Sequence, residues 1–333
     1  MSTLIDSFGR PHRDLRVSLT DRCNLRCSYC MPHDFADWLP GDHLLTTDEL
    51  MTVISVAAEC GVLGVRLTGG EPLLRPVVVD IVARISALPN APRIALTTNG
   101  LRLPAMAKDL RAAGLERVNI SLDTLDAERF KRLTYRDRHA DVLTGSAAAQ
   151  EAGLLPVKVN AVLMRGINED EAAPMLRHAL AEGWSLRFIE QMPLDAQGAW
   201  DRSEMITADA IFELLSAEFA LEPLPTRGSA PAEEFLVNGG PATVGIIASV
   251  SKPFCAACDR LRLTADGQVR NCLFARDETD LRAVLRDPSL DEVAVRARVA
   301  ELLGLSVQAK LPGHGINDPG FLQPARPMSA IGG

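Results

Sequence analysis

Residues 14–30, DLRVSLTDRCNLRCSYC, join a short strand candidate to three closely spaced cysteines. Residues 14–20 are mostly apolar and rich in Val and Leu, as buried parallel strands are. Cys23, Cys27 and Cys30 follow directly, with C-x3-C-x2-C spacing. Active sites of barrel enzymes collect at the carboxyl ends of the strands. This stretch therefore predicts the start of an α/β fold together with a reactive centre.

The same order of short apolar run, turn and helical stretch continues to about residue 195. Further strand candidates are residues 62–68, 93–98, 117–122, 157–164 and 185–190. Helix candidates alternate with them at residues 47–60, 76–88, 104–113, 141–152 and 169–182. Six such alternations predict an α/β fold in which a parallel sheet winds into a partial (β/α)6 TIM-type barrel.

The regular alternation of strand and helix candidates ends near residue 205. Helix candidates remain at residues 207–219, 280–286 and 291–303, a strand candidate lies at 243–248, residues 221–242 are typical of loop or edge structure, and the tail from residue 310 is rich in Gly and Pro. We therefore predict a barrel domain over residues 1–205 and a C-terminal α+β region over residues 206–333.

The first cysteine triplet has the composition of an iron-sulfur site. Three thiolates can ligate three irons of a [4Fe-4S] cluster and leave the fourth iron open for an exogenous ligand. A structural zinc ion normally takes four protein ligands. The alternative is therefore a zinc site that His12, His33 or His43 completes.

A second triplet, Cys255, Cys258 and Cys272, has C-x2-C-x13-C spacing and is also one ligand short of a zinc ribbon. Two incomplete triplets in one chain favour two site-differentiated clusters. Cys60 belongs to neither triplet, and we expect it to be a packing residue.

Arg260 and Arg262 follow the second triplet with one residue between them. Strand alternation puts both side chains on one face, and two guanidinium groups beside a metal cluster suit a phosphate-bearing substrate. The alternative is a solvated edge strand.

The composition limits the possible partners. The 333 residues carry 35 Lys and Arg against 43 Asp and Glu, a net charge of −8, which argues against nucleic-acid binding through a basic surface. An odd count of 7 Cys, six of them in triplets, does not resemble a disulfide framework. We expect a reducing, cytoplasmic location, and the absence of an apolar run of about 18 residues predicts no membrane span.

Taken together, these segments resemble a known enzyme family. Tyr29 completes the CxxxCxΦC signature of radical S-adenosylmethionine (SAM) enzymes, where Φ is aromatic. The chain is similar to the GTP 3′,8-cyclase family, which opens molybdenum cofactor biosynthesis. The similarity extends from near residue 14 to residue 333, and it rests on RLTGGEPLLR, TTNG, NISLD, the FCAAC, DRLRLTADG and CLF block, and the ending ARPMSAIGG.

The resemblance implies two [4Fe-4S] clusters and SAM as cofactors. It implies that the 5′-deoxyadenosyl radical takes hydrogen from C3′ of GTP and that the carbon radical attacks guanine C8, giving (8S)-3′,8-cyclo-7,8-dihydroguanosine 5′-triphosphate. SAM contacts are assigned to Tyr29, Gly70, Ser121 and Met192, with Asp123 nearby. No catalytic side chain is assigned, because the radical comes from SAM.

GTP contacts are implied for residues of separate segments. They are Arg16, Arg66, Thr97, Lys158, Arg187, Arg260, Leu261 and Arg262. One position departs from the family, because Gly64 stands where a lysine is usual, and a weaker grip on the triphosphate is expected. His314 also matches a family pattern, but we assign it no chemistry.

The ending and the partners complete the expectations. Gly332 and Gly333 are expected to insert near the SAM site, against the alternative of a disordered terminus. The implied partners are GTP, an electron donor of flavodoxin or ferredoxin type, the downstream cyclic pyranopterin monophosphate synthase, and a second copy in a homodimer. Rival functions are a peptide-maturing radical enzyme with an auxiliary cluster and a non-catalytic zinc-binding regulator.

Overall fold

A computed structural model describes residues 2–31, 34, 37–195, 197–225 and 227–332. Its strands are β1 (Asp14–Ser18), β2 (Gly64–Thr68), β3 (Arg93–Thr98), β4 (Arg117–Ser121), β5 (Lys158–Val162), β6 (Ser185–Ile189), β7 (Leu221–Pro223), β8 (Glu233–Val237), β9 (Thr243–Ile247), β10 (Arg260–Leu263), β11 (Gln268–Arg270) and β12 (Thr279–Asp280). Its helices are α1 (Thr47–Glu59), α2 (Val78–Ser86), α3 (Leu103–Ala112), α4 (Ala127–Thr134), α5 (His139–Glu151), α6 (Ala172–Glu182), α7 (Ala208–Ser216), α8 (Arg282–Leu285), α9 (Glu292–Gln308) and α10 (Met328–Ile331).

One sheet organises the described chain, in the order β12-β11-β10-β1-β2-β3-β4-β5-β6-β9-β8-β7. Strands β1 to β6 are neighbours in sequence order and all parallel, which confirms the predicted partial barrel. Strand β9 adds in parallel to β6, and β10 adds in parallel to β1. The parallel part therefore has two strands more than predicted, and both come from beyond residue 205.

Strand alternation separates an apolar outer face from a polar inner face. Leu15 and Val17 of β1 are fully buried against the helices, whereas Arg16 between them points into the barrel and lines its cavity. The same alternation puts Leu261 of β10 in the apolar core and its neighbours Arg260 and Arg262 inside the barrel. The barrel interior is thus a binding cavity rather than a filled core.

The helix boundaries follow local capping. Thr46 and Glu49 form a reciprocal capping box at α1, and Thr207 caps α7. Helix α4 was not expected; Asp126 caps it by accepting a hydrogen bond from the Arg129 amide. Residues 169–171 form a 3-10 turn before α6, and α9 continues to Gln308 instead of ending at residue 303.

No helix among the described residues combines the length and the apolar character that a bilayer crossing requires.

Candidate active site

A cavity of about 290 Å³ lies inside the barrel; the second cysteine triplet lines it, and Tyr29 of the first triplet's loop reaches it. The ends of β1 to β6 contribute part of its wall, and the C-terminal segments close the rest. Its lining includes residues from both predicted binding sets: Arg16, Tyr29, Arg66, Thr97, Ser121, Asp123, Arg187, Met192, Cys255, Cys258, Arg260, Arg262 and Cys272.

The first triplet forms a buried group of thiols at the carboxyl end of β1. Burial raises the pKa of Cys23 to about 11, and burial together with the charges of Asp123, Cys30 and Cys23 raises that of Cys27. The charges of neighbouring thiols raise the pKa values of Cys27 and Cys30, as expected for sulfur atoms that lie close together. Two donors also approach Cys23: the Leu25 amide at 3.5 Å and Asn99 Nδ2 at 3.9 Å.

Tyr29 and Asp123 form a polar pair at the rim of this thiol group. The Tyr29 hydroxyl donates to Asp123 Oδ2 at 2.8 Å, and the Val162 amide donates to Asp123 Oδ1 at 2.9 Å. Burial nevertheless raises the pKa of Asp123 to about 6. Ser121 and Met192 line the same cavity.

At Gly70 the chain's own backbone leaves no room for a side chain. A Cβ atom there would lie 2.4 Å from the carbonyl oxygens of both Asp21 and Arg22. We expected the glycine to let a ligand approach the backbone; in the structure the loop that leads to Cys23 also requires it. Glu71 beside it is buried and accepts from Thr98 Oγ1 at 2.8 Å and from the Asn99 amide at 2.7 Å, which ties β2 to β3.

The C-terminal tail enters the barrel as far as the described chain reaches. Ser18 Oγ donates to the Ile331 carbonyl at 3.0 Å, and Arg262 Nη1 donates to the Gly332 carbonyl at 2.8 Å. The Ser329 amide donates to the Cys30 sulfur. The tail therefore contacts the first triplet and a basic residue of the cavity at once, whereas Gly333 lies outside the described residues.

The second triplet is surrounded by positive charge. Burial raises the pKa of Cys258, but the charges of Arg260 and Lys310 outweigh it and hold the value at about 7. Lys310 Nζ donates to Cys258 Sγ at 3.4 Å and to the Arg260 carbonyl at 2.9 Å. The His314 amide donates to the Cys255 sulfur.

His314 has a structural role in this arrangement. Its Nε2 lies 3.1 Å from the Ser249 carbonyl, and its Nδ1 accepts from the Ile316 amide at 3.2 Å. These partners fix a neutral tautomer, and burial lowers the pKa of the ring. His314 thus holds the turn that contacts Cys255.

Basic side chains with unused donors dominate the inner face. Buried atoms without a partner in the described structure include Arg66 Nε and Nη1, Arg16 Nε and Arg187 Nε. Burial and the neighbouring guanidinium groups lower the pKa of Arg66 to about 9. Unpaired buried donors of this kind suit an anion with several acceptor oxygens.

Two of the expected GTP contacts, Lys158 and Leu261, differ from the others, and so does the departing position Gly64. Lys158 lies on the inner face of β5 but outside the cavity lining, and burial and nearby arginines lower its pKa to about 8. Leu261 is fully buried in the apolar core and does not line the cavity, so its side chain is not available for a ligand. At Gly64, a Cβ atom would meet nothing closer than 3.9 Å.

The first triplet has the donor set of a [4Fe-4S] cluster with one open iron, and the second triplet has the same number of cysteines. Among the described residues, no three His, Cys, Asp or Glu side chains could hold one metal ion. In a cubane each cysteine binds a different iron, so the sulfur atoms stand further apart. His12 is buried against Asp6 at 3.2 Å, His43 is exposed, and His33 lies outside the described residues.

Sequence reasoning missed two positioning residues. Glu190 is fully buried and accepts from the amides of Ala208 at 2.6 Å and Val250 at 2.7 Å. Arg10 donates to the Cys255 carbonyl at 2.7 Å and to the Leu311 carbonyl at 2.8 Å. The available signals were an acidic residue at the end of an apolar strand and an arginine just before β1.

Two family models match the chain. Residues 17–179 match the Radical SAM superfamily, and residues 184–315 match Molybdenum Cofactor Synthesis C. The chain is 58% identical to the GTP 3′,8-cyclase of Streptomyces coelicolor, over 99% of this chain and 96% of that protein. It is 53% identical to GTP 3′,8-cyclase 2 of Mycobacterium tuberculosis, over 99% and 92%.

The fold is also similar to a solved structure, Streptococcus suis SuiB bound to its precursor peptide SuiA. The TM-score is 0.60 at 12% identity, over 92% of this chain and 67% of that one. At this identity the likeness concerns the fold alone.

Proposed function

The chain belongs to the GTP 3′,8-cyclase family of radical SAM enzymes, and from this membership we propose how its residues divide the work. The enzyme converts GTP to (8S)-3′,8-cyclo-7,8-dihydroguanosine 5′-triphosphate in molybdenum cofactor biosynthesis. The family requires a [4Fe-4S] cluster and SAM. When bound, these supply the 5′-deoxyadenosyl radical that takes hydrogen from C3′ of GTP.

Cys23, Cys27 and Cys30 hold the cluster that faces SAM. Their burial and their amide donors suit thiolates whose charge iron compensates. Gly70, Ser121 and Met192 are proposed to bind SAM, and Tyr29, fixed by its hydrogen bond to Asp123, supports the adenine. Gly70, Ser121 and Met192 lie at or just beyond the carboxyl ends of β2, β4 and β6, and Tyr29 lies within the first triplet.

GTP is proposed to lie between the triplets, with its phosphates among the inward basic side chains. The observation that carries this proposal is the set of buried donor atoms on Arg16, Arg66 and Arg187 that have no hydrogen-bond partner among the described residues. Thr97, Lys158, Arg260 and Arg262 extend the set. Each charge-assisted contact contributes about 1.5–3 kcal/mol to binding.

Cys255, Cys258 and Cys272 are proposed to hold a second [4Fe-4S] cluster with one open iron. Lys310, Arg260 and the His314 amide stabilise thiolate charge there. An open iron beside the cavity suits the nitrogen- and oxygen-rich edge of guanine. The nucleotide would then be fixed at its base and at its phosphates.

The protein's own contribution to the reaction is positioning and exclusion of water. Base and phosphate contacts together fix C3′ relative to SAM and to C8, which removes most of the orientational cost. The tail through Gly332 fills the space beside Ser18 and keeps water from the radical.

Several finer assignments accompany this proposal. The electron donor is of flavodoxin or ferredoxin type, the product passes to cyclic pyranopterin monophosphate synthase, and the enzyme is a homodimer. Because the thiols must stay reduced, we place the enzyme in the cytoplasm. The boundary at residue 205 separates the barrel from the C-terminal region in sequence, although β9 and β10 join the barrel sheet.

The test is anaerobic reconstitution followed by incubation with GTP, SAM and a reductant. About eight irons per chain and a cyclised GTP product in mass analysis are expected. Zinc in place of iron would reject the cluster assignment. A fully loaded enzyme that cleaves SAM but modifies a peptide and not GTP would support the peptide-maturing alternative.

A further inference from the structure

Arg117 begins β4 and lies on the inner face of the barrel. In the sheet register it stands opposite Ala95, which stands opposite Arg66. Alternation along β4 puts Arg117 on the same face as Asn119 and Ser121, which both line the cavity. Arg117 therefore occupies the inward row just below the cavity, towards the amino ends of the strands.

Nothing in the described structure neutralises this guanidinium group. Arg187 pairs with Glu234 at 2.9 Å, and Arg16 lies 3.8 Å from Asp14. No described residue forms an ion pair or a hydrogen bond with the Arg117 side chain. Its charge helps to lower the pKa of both Arg66 and Lys158, and the carboxylates of Asp14 and Glu234 oppose that effect only in part.

The sheet register leaves only one small side chain between Arg66 and Arg117. Ala95 stands between Arg66 and Arg117 and contributes only a methyl group. Two strand spacings separate their backbones by about 10 Å, which two long side chains can bridge around a shared phosphate. Lys158 pairs with Asn119, one inward step above Arg117, so its ammonium group approaches the same space.

We propose that Arg117 is a further GTP-binding residue that contacts the terminal phosphate and makes the enzyme prefer triphosphates to diphosphates. Clustered like charges are unfavourable in the free protein, and a polyanion at this end of the barrel removes that repulsion. The inference rests on the GTP site proposed above and is independent of the second cluster.

The experiment compares Arg117→Gln, Arg117→Lys and Arg132→Gln by equilibrium binding of GTP, GDP and GMP to the reconstituted enzyme. Arg132 is exposed on α4, so its replacement controls for net charge. Arg117→Gln is expected to weaken the affinity for GTP about tenfold, to weaken the affinity for GDP much less, and to leave the affinity for GMP unchanged. Arg117→Lys is expected to restore part of the preference, and Arg132→Gln to match wild type.

The possible outcomes separate this inference from the site on which it rests. A wild-type enzyme that binds GMP as tightly as GTP would overturn the phosphate site and the role of Arg117 with it. If wild type prefers GTP and Arg117→Gln keeps the same ratio of GTP to GDP affinity, only the role of Arg117 fails. An equal loss for all three nucleotides would show a structural role and also reject the proposal.

Discussion

Lys158, proposed above to contact GTP, is expected to make substrate binding depend on pH. Burial and the nearby arginines, Arg187 foremost, lower its pKa to about 8, so in the free enzyme the ammonium group loses its proton as pH rises through 8. A bound triphosphate favours the charged form and raises that pKa again. GTP binding must therefore take up a proton near pH 8 to 9.

We predict that the GTP dissociation constant rises between pH 7.5 and 9, by up to about tenfold per pH unit above 8. Lys158→Arg keeps its charge throughout this range and should flatten the profile. Calorimetry in buffers of different ionisation enthalpy would measure the proton uptake directly. An identical pH profile in wild type and Lys158→Arg would exclude Lys158 as the titrating group.

Lys310 acts on the second triplet through its charge. Its Nζ lies 3.4 Å from Cys258 Sγ, and it is almost fully buried, so solvent screens the interaction little. Replacing it by methionine removes a positive charge that favours the reduced cluster. Lys310→Met should lower the midpoint potential of the second cluster by about 100 mV at most.

Redox titration followed by electron paramagnetic resonance would check this shift. The first cluster should keep its potential in the same protein. Lys252→Met, which removes an exposed lysine of the same region, serves as the control. Equal shifts in both variants would argue for a general charge effect instead.

The cysteines could be predicted from their local spacing. The residues that support them could not, because they contact the cysteines across long stretches of sequence. Cys255 and Cys258 are close in sequence, but Lys310 is 52 residues from Cys258, and Arg10 is 245 residues from Cys255. No local pattern distinguishes such a lysine from a surface one. Leu261 differs from its neighbours because strand alternation turns its side chain into the core, so only its backbone is left to contact GTP.

At the level of elements, Glu190 joins three segments. Its carboxylate accepts from the Ala208 amide at the start of α7 and from the amides of Val250 and Ser251, and it contacts the Ser251 hydroxyl. Residues 250 and 251 lead into the second triplet. Glu190 therefore positions the loop that carries Cys255.

Glu190→Gln should lower the free energy of unfolding by about 2–3 kcal/mol, because an amide nitrogen would face backbone donors. Iron content should fall towards half, since the loop of the second cluster loses its anchor. Urea unfolding and iron analysis would measure both effects. Glu213 is exposed on α7, so Glu213→Gln should change neither the free energy of unfolding nor the iron content. Equal losses in the two variants would contradict the positioning role of Glu190.

The short helix α10 places the tail in the barrel. Gly332 has a φ of +86°, and a Cβ atom there would lie 2.0 Å from Ser18 Oγ. Gly332→Ala should therefore displace the tail while every cysteine of both triplets stays unchanged. Gly320→Ala, where a Cβ meets nothing within 4 Å, is the matched control.

We predict that Gly332→Ala lowers GTP cyclisation at least about tenfold while SAM cleavage falls less. Faster hydrogen exchange at residues 328–331 would report the displaced tail. Wild-type cyclisation by this variant would show that the inserted tail has no part in the reaction.

The strands were easier to predict than the helices around them. The predicted strands of the barrel all form: β3 has the predicted bounds, and each of the other five is one to three residues shorter than predicted. Helix α4 was not predicted, because its buried residues are only Phe130, Leu133 and Thr134, and they form a weak apolar stripe. The Asp126 cap was the one local signal for it.

At the scale of the whole molecule, the C-terminal region completes the barrel. Strand β10 lies beside β1 and β9 beside β6, so residues far apart in sequence flank the first six strands. This arrangement could not be read from periodicity, because both strands are short and their partners are distant. It explains how a chain of net charge −8 presents Arg16, Arg260 and Arg262 together in one cavity.

The same arrangement separates the two triplets by function. Cys27 follows the carboxyl end of β1, whereas Cys258 precedes β10, which runs parallel to β1. The two cysteines therefore lie towards opposite ends of neighbouring parallel strands, with the nucleotide cavity between them. Loss of one cluster should leave the other end of the barrel in place.

We predict that Cys27→Ala abolishes SAM cleavage and cyclisation together, because the radical source is lost. Cys258→Ala should keep uncoupled SAM cleavage at a substantial fraction of wild type and lose cyclisation, because only the proposed guanine anchor is removed. Cys60→Ala, in the packed core beside α1, should keep both activities. Product analysis for methionine, 5′-deoxyadenosine and cyclised GTP separates these outcomes, and equal loss of both activities in Cys258→Ala would assign the second triplet to the stability of the fold.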